Sequence, residues 1–226
     1  MRRYLPFLII IAVALVTAIA SAWLYRAKLR PASTAPVTPA VASAPADQAA
    51  ESSSLHVRGA ASALATLEIY GDFQCPPCAK TSAVIDSLAK DYGTRLRVIF
   101  REFPLAMHQQ ALPAALAAEA AGLQGHFWEM HDMLYQYQSV WSKASNPGRF
   151  FNAYAQSLGL DVERFNADAK SDPAKAHIMA EGDAGVARGV RNTPTIFVNG
   201  NEVRGAFTRK HLQAAIDAAI AAKKKS

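Results

Sequence analysis

Two cysteines, Cys75 and Cys78, are the whole thiol content of the 226-residue chain, and they stand as Cys75-Pro76-Pro77-Cys78. Two intervening residues let the sulfurs meet across one helical turn, whereas a bridge there closes so short a loop that it restricts the unfolded chain very little. The spacing therefore points to thiol–disulfide exchange rather than to a structural staple: one thiol forms the mixed disulfide and the other resolves it. A zinc site is the competing use of such a pair, and it needs two more ligands. No second cysteine pair exists, and the histidines at 56, 108, 126, 131, 177 and 211 show no His-x-x-x-His spacing, so no metal is expected.

The surrounding elements must place these thiols. Thr66 to Tyr70 reads as a strand, Gly71 to Gln74 as its exit loop, and Pro76 onward as a helix with Ala79, Val84, Ile85, Leu88 and Ala89 on its buried face. Cys75 then sits at a helix N-terminus, where unpaired N–H groups and the positive dipole end favour a thiolate, and prolines fit a first turn because their missing N–H has no helical partner. The expectation is an exposed Cys75 with a lowered pKa and a Cys78 facing inward. Stabilising the thiolate stabilises the reduced form and makes the disulfide a stronger oxidant. Pro76 and Pro77 add neither charge nor N–H, so the tuning they give is moderate.

A second stretch, Gly189-Val-Arg-Asn-Thr193-Pro194-Thr195-Ile-Phe-Val-Asn199-Gly200, reads as Thr-Pro opening a strand that an Asn-Gly turn folds back onto Glu202-Val203. Taken with Tyr70-Gly-Asp72-Phe73-Gln74-Cys75 and with Gly125-His-Phe127-Trp128-Glu-Met-His-Asp132, it resembles the thioredoxin fold in its DsbA-like branch over about residues 64 to 222. The resemblance implies an α/β thioredoxin fold with an inserted helical subdomain at about 106–188. It also implies a cis proline at Pro194, after Thr193, against the dithiol and beside the substrate path.

One departure stands out. Many members carry a buried acid six residues before the first cysteine, and here that residue is Ile69. Glu68 and Asp72 are the nearby candidates for proton transfer at Cys78, although strand alternation sends Glu68 to the opposite face and Asp72 suits a loop acid that bonds local backbone. His126 and His131 read as surface or partly packed imidazoles, and His108 as a local hydrogen-bonding residue.

Uncharged residues run from Tyr4 to Tyr25 between Arg3 and Arg26, with Tyr4, Trp23 and Tyr25 at the two ends. At about 1.5 Å per residue such a run spans a bilayer core of about 30 Å. Residues 1–30 therefore read as a transmembrane anchor or, through Arg2-Arg3 and Ala20-Ser21-Ala22, as a signal peptide. Residues 31–63, rich in Ala, Pro, Ser and Thr without an aromatic, read as a linker. The domain at 64–222 carries helical patterns at about 109–124, 126–138, 148–158, 174–187 and 208–222, and residues 223–226 form a basic tail.

The net charge of +6 belongs to the flanks, because residues 64–222 hold 15 basic and 16 acidic side chains; nucleic acid is not an expected partner. The resemblance implies a thiol:disulfide oxidoreductase of the bacterial cell envelope acting on exported or unfolded protein thiols, without a cofactor and as a monomer. As an oxidase it would be recharged by a membrane redox partner. A reductase or isomerase is the alternative, which Thr193 before the proline favours, and a peptide-binding module is a third. The expected location is the inner membrane, single-pass, with the domain in the periplasm, or the periplasm after signal cleavage.

Overall fold

Strand β2, Ala65–Gly71, buries Leu67 and Ile69 on one face, while Thr66 and Glu68 take the other and stay partly exposed, as the two-residue period of a strand requires. It pairs in parallel with β3, Leu96–Glu102, through the crossover helix α1, Pro76–Tyr92, whose Ile85 and Leu88 pack onto Leu67 and Ile69 in the main core. These elements belong to a computed structural model that describes residues 56–225. The apolar run at 4–25 lies outside the described residues, as does most of the stretch read as linker. Among the described residues no helix is long and apolar enough to cross a membrane.

The sheet is completed by β1, Val57–Arg58, by β4, Thr195–Val198, and by β5, Asn201–Val203, in the order β1-β3-β2-β4-β5. β4 lies antiparallel to β2 with Tyr70 opposite Thr195. That register is what builds the site: the loop leaving β2 and the Thr193-Pro194 pair entering β4 meet at one end of the sheet. Asn199 and Gly200 turn β4 into β5 with φ of 44° and 81°, which an Asn-Gly pair tolerates with little strain.

Between β3 and β4 come six helices: α2, Ala111–Gly122; α3, Phe127–Gln136; α4, Gln138–Trp141; α5, Gly148–Ser157; α6, Val162–Asp168; and α7, Asp172–Ala187. The last helix, α8, runs Arg209–Lys223. The fold is an α/β thioredoxin fold with a helical insertion. α4 and α6 have no counterpart in the sequence reading, because neither is long enough to display a helical period; α6 announces itself only through its cap, where Asp161 Oδ1 accepts from Arg164 N at 3.0 Å.

The stretch read as linker needs correction at its end. His56 is fully buried and stacks on Phe127 with ring centroids 3.6 Å apart, and Val57–Arg58 pair with Ile99 and Val98. A two-residue strand leaves no alternation to read, so only the tertiary contacts reveal it.

Candidate active site

Cys75 caps α1 without a side-chain bond of its own, its N–H bonded to Asp72 O at 3.1 Å, and the exposed Pro76 and Pro77 form the first turn. The insertion fastens this loop from the other side. Gln138 Nε2 donates to Phe73 O at 2.7 Å and to Cys75 O at 3.0 Å, and Gln74 Oε1 accepts from Gln110 N at 2.6 Å. Across from it the Thr193–Pro194 bond is cis, Pro194 is buried, and the Cys75 thiol donates to Thr193 O at 3.4 Å. The sheet register thus brings together Cys75, Cys78, Pro76, Pro77, Thr193 and Pro194.

Cys75 is only 4% exposed, against the expectation of an open thiol, because the Thr193 carbonyl, Pro194 and the loop held by Gln138 close around it. Cys78 is fully buried in the core. Their acidities diverge. Hydrogen bonding from the Cys78 thiol, with smaller help from Thr193 and the Cys78 backbone, outweighs burial and brings Cys75 down to about 6. Burial first, and then the neighbouring Cys75, push Cys78 far up. The split favours Cys75 over Cys78 as the thiol that ionises first.

Of the two acids named from sequence, one lies on the far face of the sheet and the other is in the cysteine loop with its oxygens engaged. Glu68 is contacted by Arg101 Nε at 2.8 Å and by Arg188, on the face of β2 opposite Ile69, and this face carries the separate Tyr70, Phe103, Val190 and Phe197 cluster. It has no route to Cys78, and its candidacy for proton transfer is withdrawn. Asp72 is 1% exposed and already committed: Oδ1 accepts from Gln74 N at 2.7 Å, and Oδ2 accepts from Leu105 N at 2.9 Å and faces His108 Nδ1 at 2.7 Å. It shapes the loop, and His108 is its partner. His131 also departs from expectation, being 3% exposed among Phe73, Phe100, Trp128 and Tyr135; burial lowers its pKa.

Sequence reasoning missed two groups. Gly71 has no side chain because a Cβ there would lie 2.4 Å from the Phe100 ring and 3.0 Å from the Tyr135 hydroxyl, and its partner across the ladder is Glu102. Neither the Tyr135 hydroxyl nor the Glu102 carboxyl has a hydrogen-bond partner among the described residues, and Glu102 is fully buried. Burial raises Glu102 well above the carboxylate range, and Glu119 on α2, Glu181 on α7 and Asp72 in the loop after β2 push the same way. Burial also raises Tyr135, followed by the charges of Cys78 and Glu102. A second buried acid thus lies on the neighbouring strand, opposite Gly71.

A carboxyl whose folded pKa exceeds its unfolded one stabilises the fold below the unfolded pKa, and that contribution is lost as pH rises toward the folded value. Glu102→Gln, which keeps the shape without the titration, should raise Tm at neutral pH by at least about 2–4 °C, the shift that about 1 kcal/mol gives a domain of this size. The gain should vanish near pH 4. A variant equal to or less stable than the wild type at neutral pH would show that Glu102 is held as a compensated carboxylate.

A dithiol of split acidity on a helix start, facing a cis proline across a thioredoxin-type sheet with a helical insertion, defines the class: a thioredoxin-fold protein of DsbA-like architecture. The thioredoxin family profile matches residues 51–218, and the chain belongs to that family. Among solved structures it is similar to a thioredoxin-like oxidoreductase from Silicibacter pomeroyi DSS-3, at 27% identity and a TM-score of 0.61 over 75% of this chain and 92% of that one. The thiol-disulfide exchange protein alpha-DsbA2 from Wolbachia pipientis shares the fold at 20% identity and a TM-score of 0.63, over 72% of this chain and 86% of the other. A Na(+)/H(+) antiporter NhaA 1 from Salinispora arenicola (strain CNS-205) is 39% identical over 74% of this chain, but the chain spans only 25% of that relative's length. The antiport in its name is a property of that longer protein.

Proposed function

We propose that this protein donates a Cys75–Cys78 disulfide to newly exported, unfolded proteins at the bacterial cell envelope. The observation that carries the reading is the split pair: a Cys75 thiol brought down to about 6 and a Cys78 thiol raised by burial. A substrate thiolate attacks Cys75 Sγ of the disulfide, the S–S bond breaks, and the electron pair leaves on Cys78 Sγ. A second substrate thiolate attacks the substrate sulfur of the mixed disulfide and expels Cys75 as a thiolate, so two substrate thiols are oxidised and the dithiol is reduced. Cys78 leaves as a poor thiolate and takes up a proton. Glu102, the buried carboxyl on the strand beside β2, is the candidate donor, so Glu102→Gln should slow the attack on Cys75 that expels Cys78.

Unfolded clients fit the rim of the site. Met107 is 81% exposed between Leu105 and Gln110, whose N–H groups bond to Asp72 and Gln74; Val140 is 50% exposed two residues after Gln138. Apolar side chains on the segments that hold the cysteine loop suit exposed apolar client chain. The run at 4–25 supports anchorage, with a cleaved leader as the other outcome, and a membrane redox partner would reoxidise the pair. The reading takes the protein as a monomer. Thr193 before the cis proline favours a second reading, in which the pair is kept reduced and acts as a reductase or isomerase.

One experiment addresses activity and place together. Alkali-washed membranes from cells expressing the full chain should oxidise a reduced, unfolded multi-cysteine protein, and membranes carrying Cys75→Ser should not. Activity confined to the soluble fraction would establish release by cleavage. Activity in neither fraction would remove the oxidase reading.

A further inference from the structure

Far apart in sequence, His56 just before β1, Glu119 on α2 and His177 on α7 converge at the edge of β3, and one ligand-type atom from each lies within 4.8 Å of the other two. Glu119 Oε1 is 3.3 Å from His56 Nε2 and 2.8 Å from His177 Nδ1. Glu181, one turn along α7, faces the other nitrogen of both rings, at 4.0 Å from His56 Nδ1 and 4.0 Å from His177 Nε2. His56 and Glu119 are buried, and His177 keeps a side-chain exposure of 25%. β1 is too short to cover the β3 edge, so Glu181 caps it instead by accepting from Glu102 N at 2.7 Å.

We propose that His56, Glu119 and His177 form a binding site for a divalent transition-metal ion, with Zn²⁺ the best fit. Two imidazoles and one carboxylate are the donor set of three-ligand zinc sites that keep a fourth position open, and the partly exposed His177 leaves that position on the solvent side. Tetrahedral donors at zinc bond lengths stand about 3.4 Å apart, so the His56–Glu119 spacing already fits and His177, the most accessible of the three, moves by a fraction of an ångström to open its hydrogen bond. Glu181 stands behind both imidazoles at 4.0 Å, beyond direct hydrogen-bond reach.

A second observation points to a cation. Two buried carboxyl groups, Glu119 and Glu181, crowd this edge, and the guanidinium that meets Glu181 at 3.0 Å, Arg101, is shared with Glu68. A divalent ion would pair with the buried, charged Glu119 carboxylate and would bolt β1 to two helices of the insertion. The site is separate from the dithiol, and the proposal stands or falls independently of the direction of electron flow.

The test uses the full chain with Cys75→Ser and Cys78→Ser, which removes thiol ligands. Co²⁺ titration should give the intense visible absorption of a tetrahedral site at one equivalent per chain, and Zn²⁺ competed against a chromophoric chelator should bind with the same stoichiometry. Adding His177→Gln should weaken binding by at least about 100-fold, beyond the 10–100-fold typical of outer partners, while adding His126→Gln should leave it unchanged. With Zn²⁺ 100-fold above its Kd, Tm of the parent should rise by roughly 5 °C or more and fall back with chelator, a readout that needs no further variant to fold. Absence of stoichiometric binding, an unaffected His177→Gln variant, or a Tm insensitive to Zn²⁺ would show a hydrogen-bonded cluster only.

Discussion

Cells expressing Cys78→Ser should accumulate protein held in mixed disulfides with clients, whereas cells expressing Cys75→Ser should show none. The asymmetry follows from the site. Cys75 lies against Thr193 and Pro194 at the rim, next to the exposed prolines, and its thiolate is the stable one, while Cys78 is enclosed in the core and its thiol is raised by burial. Of the two sulfurs Cys75 alone keeps any exposure, 4% against none for Cys78, so a substrate sulfur meets it first, and without Cys78 the resulting bond lacks its internal resolving thiol. Non-reducing gels separate the adducts from free protein, and reductant should collapse them. Equal trapping by both variants would mean that Cys78 is also reached; trapping by neither would favour a peptide-binding module.

The acidity of Cys75 gives the second large effect. Its alkylation by iodoacetamide should be half-maximal near pH 6, and Cys78→Ala should move that midpoint up by about 1–2 units, because the foremost cause of the lowering is the hydrogen bond from the Cys78 thiol and bonds to charged groups contribute about 1.5–3 kcal/mol. The same shift sets the pH dependence of the redox pair. A thiol depressed in the folded state stabilises the reduced protein fully above the unfolded thiol pKa, about 8.5, and loses that contribution as pH falls through about 6. The oxidising strength of the disulfide should therefore grow between those limits. A midpoint above pH 8 in the wild type would contradict the split acidity of the pair.

Much of the site was legible because its parts are local. Cys75-Pro76-Pro77-Cys78 after a strand, Thr193-Pro194 before one, and Asn199-Gly200 in a hairpin each carry their conformational meaning within a few residues. The remainder depends on convergence. Glu102 comes to lie opposite Gly71 only because β3 runs parallel to β2, and no spacing along the chain marks that. Gln138, which bonds two loop carbonyls, sits on a four-residue helix too short to have a period. His56, Glu119 and His177 meet from three elements, so the test for ligand spacing had nothing to find. The exposure of Cys75 was misjudged for the same reason, since what covers it comes from residues more than sixty positions away.

The direction of electron flow is tested most directly by equilibrating the Cys75–Cys78 pair against a glutathione redox series at neutral pH. Pro76 and Pro77 bring no charge or N–H to the thiolate, yet the Cys78 hydrogen bond still stabilises it, so the account predicts a potential more oxidising than that of thioredoxin, about −270 mV, and less extreme than that of DsbA, about −120 mV. Each 30 mV changes the exchange equilibrium about tenfold, so the range is wide enough to decide. A potential as reducing as thioredoxin's would contradict the oxidase and assign the protein to reduction or isomerisation.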